Sequence, residues 1–79
     1  MQVDLLLQTR RMAYLIEVKR KAEIGREVIG EMEEKVRLLP RRPGVSVRTA
    51  LVYEGNLAPI VEADGYFDAI IPFRRLLGM

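Results

Sequence analysis

The stretch from Ala22 to Leu39, "AEIGREVIGEMEEKVRLL", constrains the fold most, because it is helical in pattern and has strand-like sequence on both sides. Ile24, Val28, Ile29, Met32, Val36 and Leu39 recur at the spacing of one helix face, and the remaining positions are largely charged. "PRRPG" stops the helix, since Pro40 and Pro43 cannot continue it and Gly44 frees the turn. Before it run "QVDLLLQ" and "MAYLIEVK"; after it runs "VSVRTALVYEG", whose "ALVY" is apolar on both faces, as in an interior strand. A strand, a helix and a strand in that order predict a crossover and a parallel strand pair.

The first two runs predict a hairpin. A turn at Arg10-Arg11 pairs Thr9 with Met12 and continues down to Asp4 opposite Glu17. Arg10-Arg11 lacks the Gly or Asn of a tight turn, so a four-residue loop over Thr9 to Met12, which keeps this register, fits better. On the helix, Glu31 to Lys35 and Glu33 to Arg37 are spaced as i, i+4 ion pairs. Gly25 and Gly30 each cost up to about 1 kcal/mol relative to Ala, a cost usually accepted for close packing against a sheet. The rest predicts a loop or short helical turn, a fourth strand at "YFDAII" stopped by Pro72, and a terminal helix at "FRRLL". The expected fold is therefore α/β, one domain over 1–79, with a mixed sheet in hairpin-helix-strand-strand order.

Composition narrows the classes. At 79 residues the chain buries only about 60 to 65% of the surface its unfolded form exposes. With 49% hydrophobic and 30% charged residues it is expected to fold. No Cys and no His exclude disulfides and leave almost nothing for structural zinc, so self-association or a further part of the chain is the expected support. No apolar run is long enough for a membrane span, and "MQVDLLLQTR" carries an acid where a signal peptide carries basic residues. A cytoplasmic protein without membrane contact is expected. Thirteen Lys and Arg against eleven Asp and Glu give a net charge of +2, so the placement of charge matters more than its total.

That placement is informative in "LIEVKRK". In the hairpin register Asp4 and Glu17 have Cβ atoms roughly 4.5 to 5.5 Å apart. Two carboxylates at this distance repel, and a hard cation relieves the repulsion; Mg²⁺ is commonly held by one or two carboxylates with water and substrate phosphate. Lys19 shares the strand face of Glu17, where an ammonium can stabilise charge on a phosphate under attack.

Asp4, followed by Glu17-Val18-Lys19 at the end of an apolar strand and then a helix, resembles the PD-(D/E)XK nuclease superfamily, the restriction-endonuclease-like fold. More narrowly, "VDLLLQTRRMAYLIEVKRKAEIG", "RTALVYEG" and "YFDAIIPFRRLL" are similar to C-terminal nuclease-like domains of prokaryotic AAA-type ATPases, a likeness covering almost the whole chain. The resemblance implies metal-dependent phosphodiester hydrolysis or DNA binding, with Asp4 and Glu17 as Mg²⁺ ligands and Lys19 as the catalytic cation. Only Met1, Gln2 and Val3 precede Asp4, where the superfamily has a helix, often bearing another acid, and a strand; Val3 stands at its nominal proline. The expected architecture is thus a truncated restriction-endonuclease-like core, the C-terminal piece of a longer ATPase. The chain has no Gly-rich phosphate loop of its own.

Plainer readings stand beside these. Asp4 and Glu17 also fit a pair of solvent-facing acids on a hairpin, and Lys19 fits an edge-strand lysine that discourages aggregation. Arg20, Lys21 and Arg26, with Arg10, Arg11, Arg41 and Arg42, suit a phosphate-tracking surface or simply solvated charge, and no aromatic interleaving suggests base stacking. The acids of "EADGYFD", Glu62, Asp64 and Asp68, lack the ligand period of a calcium loop. The competing functional class is a catalytically inactive interaction or dimerisation domain. A sheet without its first strand leaves an edge that two-fold pairing would cover, so a homo-oligomer is expected.

Overall fold

The computed structural model describes residues 2–40 and 42–78; Arg41, one of the loop arginines named above, lies outside them. The chain forms β1 (Gln2–Gln8), β2 (Met12–Ile24), α1 (Glu27–Leu38), β3 (Ser46–Leu57), α2 (Pro59–Asp64), β4 (Ala69–Pro72) and α3 (Phe73–Leu76). Among the described residues the four strands make one sheet in the order β1-β2-β3-β4. β1 and β2 are antiparallel, whereas β2–β3 and β3–β4 are parallel, so the molecule is a small α/β domain with a mixed sheet.

The hairpin has the expected register, Asp4 opposite Glu17 and Gln8 opposite Ala13. A turn over Thr9 to Met12 closes it. The Thr9 N–H donates to the Met12 carbonyl at 2.8 Å, and the Met12 N–H donates to the Thr9 hydroxyl at 3.1 Å. Threonine supplies by its side chain what the missing Gly or Asn would have supplied by conformation.

The helix starts later than its apolar spacing predicts. Ala22, Glu23 and Ile24 belong to β2, Gly25 lies before the helix, and Leu39 caps its C-terminal end. The reason is a bulge: β2 pairs Arg20 with Glu54 and then Glu23 with Asn56, so Lys21 and Ala22 together face Gly55. Pairing resumes at Ile24–Leu57, and the Ala58 N–H donates to the Ile24 carbonyl at 2.8 Å. Ile24 still reaches the core, but from a strand. β4 likewise begins at Ala69 rather than Tyr66, because Asp68 joins β3 partly by its side chain: the Thr49 N–H donates to the Asp68 carboxylate at 2.8 Å.

Alternation on β2 puts Ala13, Leu15, Glu17 and Lys19 on one buried face. Leu15 and Leu51 of the sheet pack there against Val28, Ile29 and Met32 of α1, Val61 of α2, and Phe67. The other face carries Leu5, Leu7, Tyr14 and Ile16, with Ala50 and Ala69 in register beside Ile16. Short α3 packs on β3 and β4, where Val52 is buried, while Leu5, Leu7 and Tyr14 at the β1–β2 side are exposed. Among the described residues no helix is long and apolar enough to cross a membrane.

Candidate functional site

Strand pairing brings Asp4 of β1 and Glu17 of β2 side by side on the face that α1 covers. The cation between them comes from the chain itself. Lys35, in the last turn of α1, places its Nζ 2.9 Å from Asp4 Oδ1 and 2.9 Å from Glu17 Oε1. Glu17 is wholly buried, at 0% exposure, whereas Asp4 and Lys35 keep partial contact with solvent. Burial opposes the charge on Lys35. Its hydrogen bonds to Asp4 and Glu17 outweigh that penalty and hold the ammonium above the ordinary lysine range.

Lys19 is buried on the same face at 6% exposure. Its Nζ donates to Glu31 Oε1 at 2.5 Å, and Glu31 is itself partly exposed. Two residues of β2 thus pair with two of α1 in reversed order, Glu17 with Lys35 and Lys19 with Glu31. The spacing explains the match. Two residues along a strand advance about 6.6 Å and four along a helix about 6 Å, so two ion pairs can bridge the layers side by side.

Glu31 and Lys35 are the site residues missed in the sequence, where i, i+4 spacing joins them to each other. The signal was present: the E-x-K of a strand has its charges answered by an E-x-x-x-K on the helix that runs back over it. Arg37 also departs from expectation, pairing with Glu34 three residues before it rather than with Glu33.

The basic residues lie away from the acid pair. Arg20 forms an ion pair with Glu54 at 2.9 Å, and Lys21 with Glu27 at 3.2 Å. Glu27 also accepts the Gly25 N–H at 3.1 Å, and hydrogen bonds from backbone N–H groups, followed by Lys21, hold its carboxyl below the usual glutamate range. Arg26 is exposed at the start of α1, as are Arg10 and Arg11 at the hairpin tip. Asp68 is taken up by the β3 backbone and lies 3.6 Å from Arg48.

Asp4 and Glu17 are the two carboxylates that would hold a divalent cation here. Among the described residues no group of three or more His, Cys, Asp or Glu gathers to hold a metal. The protein would supply two carboxylates and leave the remaining positions to water and phosphate, a set that Mg²⁺ accepts. The convergence of both carboxylates on one ammonium shows that they can share a cation.

The fold and this charged cluster define a small α/β domain with, among the described residues, a four-stranded mixed sheet, three helices and a partly buried ionic layer between sheet and helix. The chain matches no protein-family model, no curated protein and no solved structure.

Proposed function

We propose that the chain is a cytoplasmic nuclease-like module of the PD-(D/E)XK type, belonging to a larger prokaryotic ATPase, that engages DNA phosphate through a divalent cation at Asp4 and Glu17. The observation carrying this reading is that one carboxylate oxygen from each of two strands lies 2.9 Å from a single ammonium. A divalent cation would replace the Lys35 ammonium there, and the lysine's long stem lets its head withdraw to solvent. Bound Mg²⁺ supplies Lewis-acid stabilisation of charge on a phosphodiester. Asp4 and Glu17 hold and orient it, Glu17 from the dry side and Asp4 from the wet side. Lys19 becomes available to phosphate only when Glu31 releases it.

One observation favours a second reading, a catalytically inactive interaction or dimerisation domain. Lys35 already pairs with Asp4 and Glu17, and Glu31 with Lys19, so the cluster ties the layers together through the chain's own side chains.

A metal titration separates the two. With Mg²⁺ or Mn²⁺ at a hundred times its dissociation constant, the nuclease-like reading expects about 2.7 kcal/mol of added stability, read as a rise in melting temperature. Asp4→Asn and Glu17→Gln abolish the rise, and Lys35→Met, which removes the competing cation, enlarges it. No metal response in wild type or in Lys35→Met, together with no cleavage of single- or double-stranded DNA, establishes the inactive reading.

A further inference from the structure

We propose that Glu31 is a positioning residue of the charged cluster: it takes the Lys35 ammonium when a divalent cation displaces that ammonium from Asp4 and Glu17. Lys35 then changes partner within the chain. The inference rests on the metal reading above and names the residue that governs it.

Placement is the first argument. Glu31 and Lys35 both belong to α1, four residues apart with the acid on the N-terminal side, the orientation in which such a pair is most favourable. Neither uses the other. Each reaches across to β2 instead, Lys35 to Glu17 and Glu31 to Lys19. Lys35 finds two carboxylates at 2.9 Å, those of Asp4 and Glu17, and a single carboxylate one turn away does not compete with both. Once that double hold is lost, the helix offers one substitute. Of the residues three and four positions from Lys35, namely Glu31, Met32, Leu38 and Leu39, only Glu31 carries a carboxylate.

Capacity is the second argument. Lys19 Nζ donates to Glu31 Oε1, and an ionised carboxylate accepts through both of its oxygens. Glu31 can therefore receive Lys35 at Oε2 without first giving up Lys19. Its hold on Lys19 is then divided between two ammoniums.

Exposure gives the direction. The Glu17 side chain is 0% exposed and the Glu31 side chain 41%, so the exchange moves the ammonium outward, as a long lysine stem allows. Glu31 thus raises metal affinity without touching the metal, because it lowers the cost of removing the competing ammonium.

A wild-type crystal soaked with Mn²⁺ tests the inference without any substitution. With Mn²⁺ between Asp4 and Glu17, Lys35 Nζ is expected within about 3.2 Å of a Glu31 oxygen. An occupied site with the Lys35 head turned to water overturns the inference. Mn²⁺ titration calorimetry asks the same question in solution. Glu31→Gln should raise the Mn²⁺ dissociation constant by a factor about two larger in the wild-type background than in Lys35→Met, the worth of one i, i+4 ion pair. Lys35→Met has no ammonium to place, and the effect of losing the Lys19 partner is common to both backgrounds and cancels. Equal factors in the two backgrounds overturn the inference while leaving the metal reading intact. Absence of Mn²⁺ binding from wild type and Lys35→Met alike is a different failure, which removes the metal reading and this inference with it.

Discussion

Glu17 and Lys19 look alike in the sequence, two charged residues in an apolar strand, yet they differ in the partner each would leave behind. Lys19 is buried and Glu31 is partly exposed. Lys19→Met replaces a buried ammonium by an apolar side chain of similar volume and lets Glu31 turn to water, so it should cost less than about 1 kcal/mol. Glu31→Gln leaves the lysine buried without its counter-charge and should cost about 2 to 3 kcal/mol. Denaturant unfolding of the two variants measures the difference, and equal costs would count against the burial asymmetry. Lys35 has its own signature. Its pKa is raised in the folded chain, so it binds its proton more tightly there than in the unfolded chain, and its contribution is fully present at neutral pH. That contribution is lost as pH rises from the unfolded value of about 10.4 through the raised folded one. Melting curves should therefore show wild type losing stability more steeply than Lys35→Met above about pH 10.

Glycines make the corresponding case for elements. Gly30 lies inside α1, where the sequence suggests a close approach to the sheet, but a Cβ there would meet nothing within 4 Å. Gly30→Ala should accordingly stabilise the chain by about 0.5 to 1 kcal/mol. Gly55 is the true contact glycine. Its φ of 128° lies in the region L-residues avoid, and a Cβ there would collide with the Lys21 carbonyl oxygen opposite it in the bulge. Gly55→Ala should push β2 and β3 apart and cost about 2 to 4 kcal/mol. Chemical denaturation of both variants gives the two signs, and reversed signs would overturn the assignment of Gly55 as the glycine that the Lys21 carbonyl requires. The sequence marks both positions only as glycine. Which one is needed depends on what stands opposite, and that is set by register.

For the whole molecule, one apolar sheet face is covered and one is largely open. A chain of this size has a small margin of stability, since little of its surface can be withdrawn from water. Pairing of the chain with itself, as a homo-oligomer, would make the melting temperature rise with protein concentration, because association and folding share one equilibrium. A melting temperature unchanged over a hundredfold dilution would speak for an isolated monomer.

The element order, the hairpin register and the parallel crossover were legible in the sequence because they follow from local patterns: strand alternation, helix spacing and the prolines after Leu39. Asp4 opposite Glu17 follows from the same register. The β2 extension to Ile24 was not legible, because a bulge breaks strand alternation and Ile24 fits a helix stripe equally well. The pairing of Lys35 with the two acids, and of Glu31 with Lys19, was decided only by tertiary structure. A charged side chain takes the partner that the packed layers bring within reach of its head, and sequence spacing alone sets distances within an element, not across the gap between two.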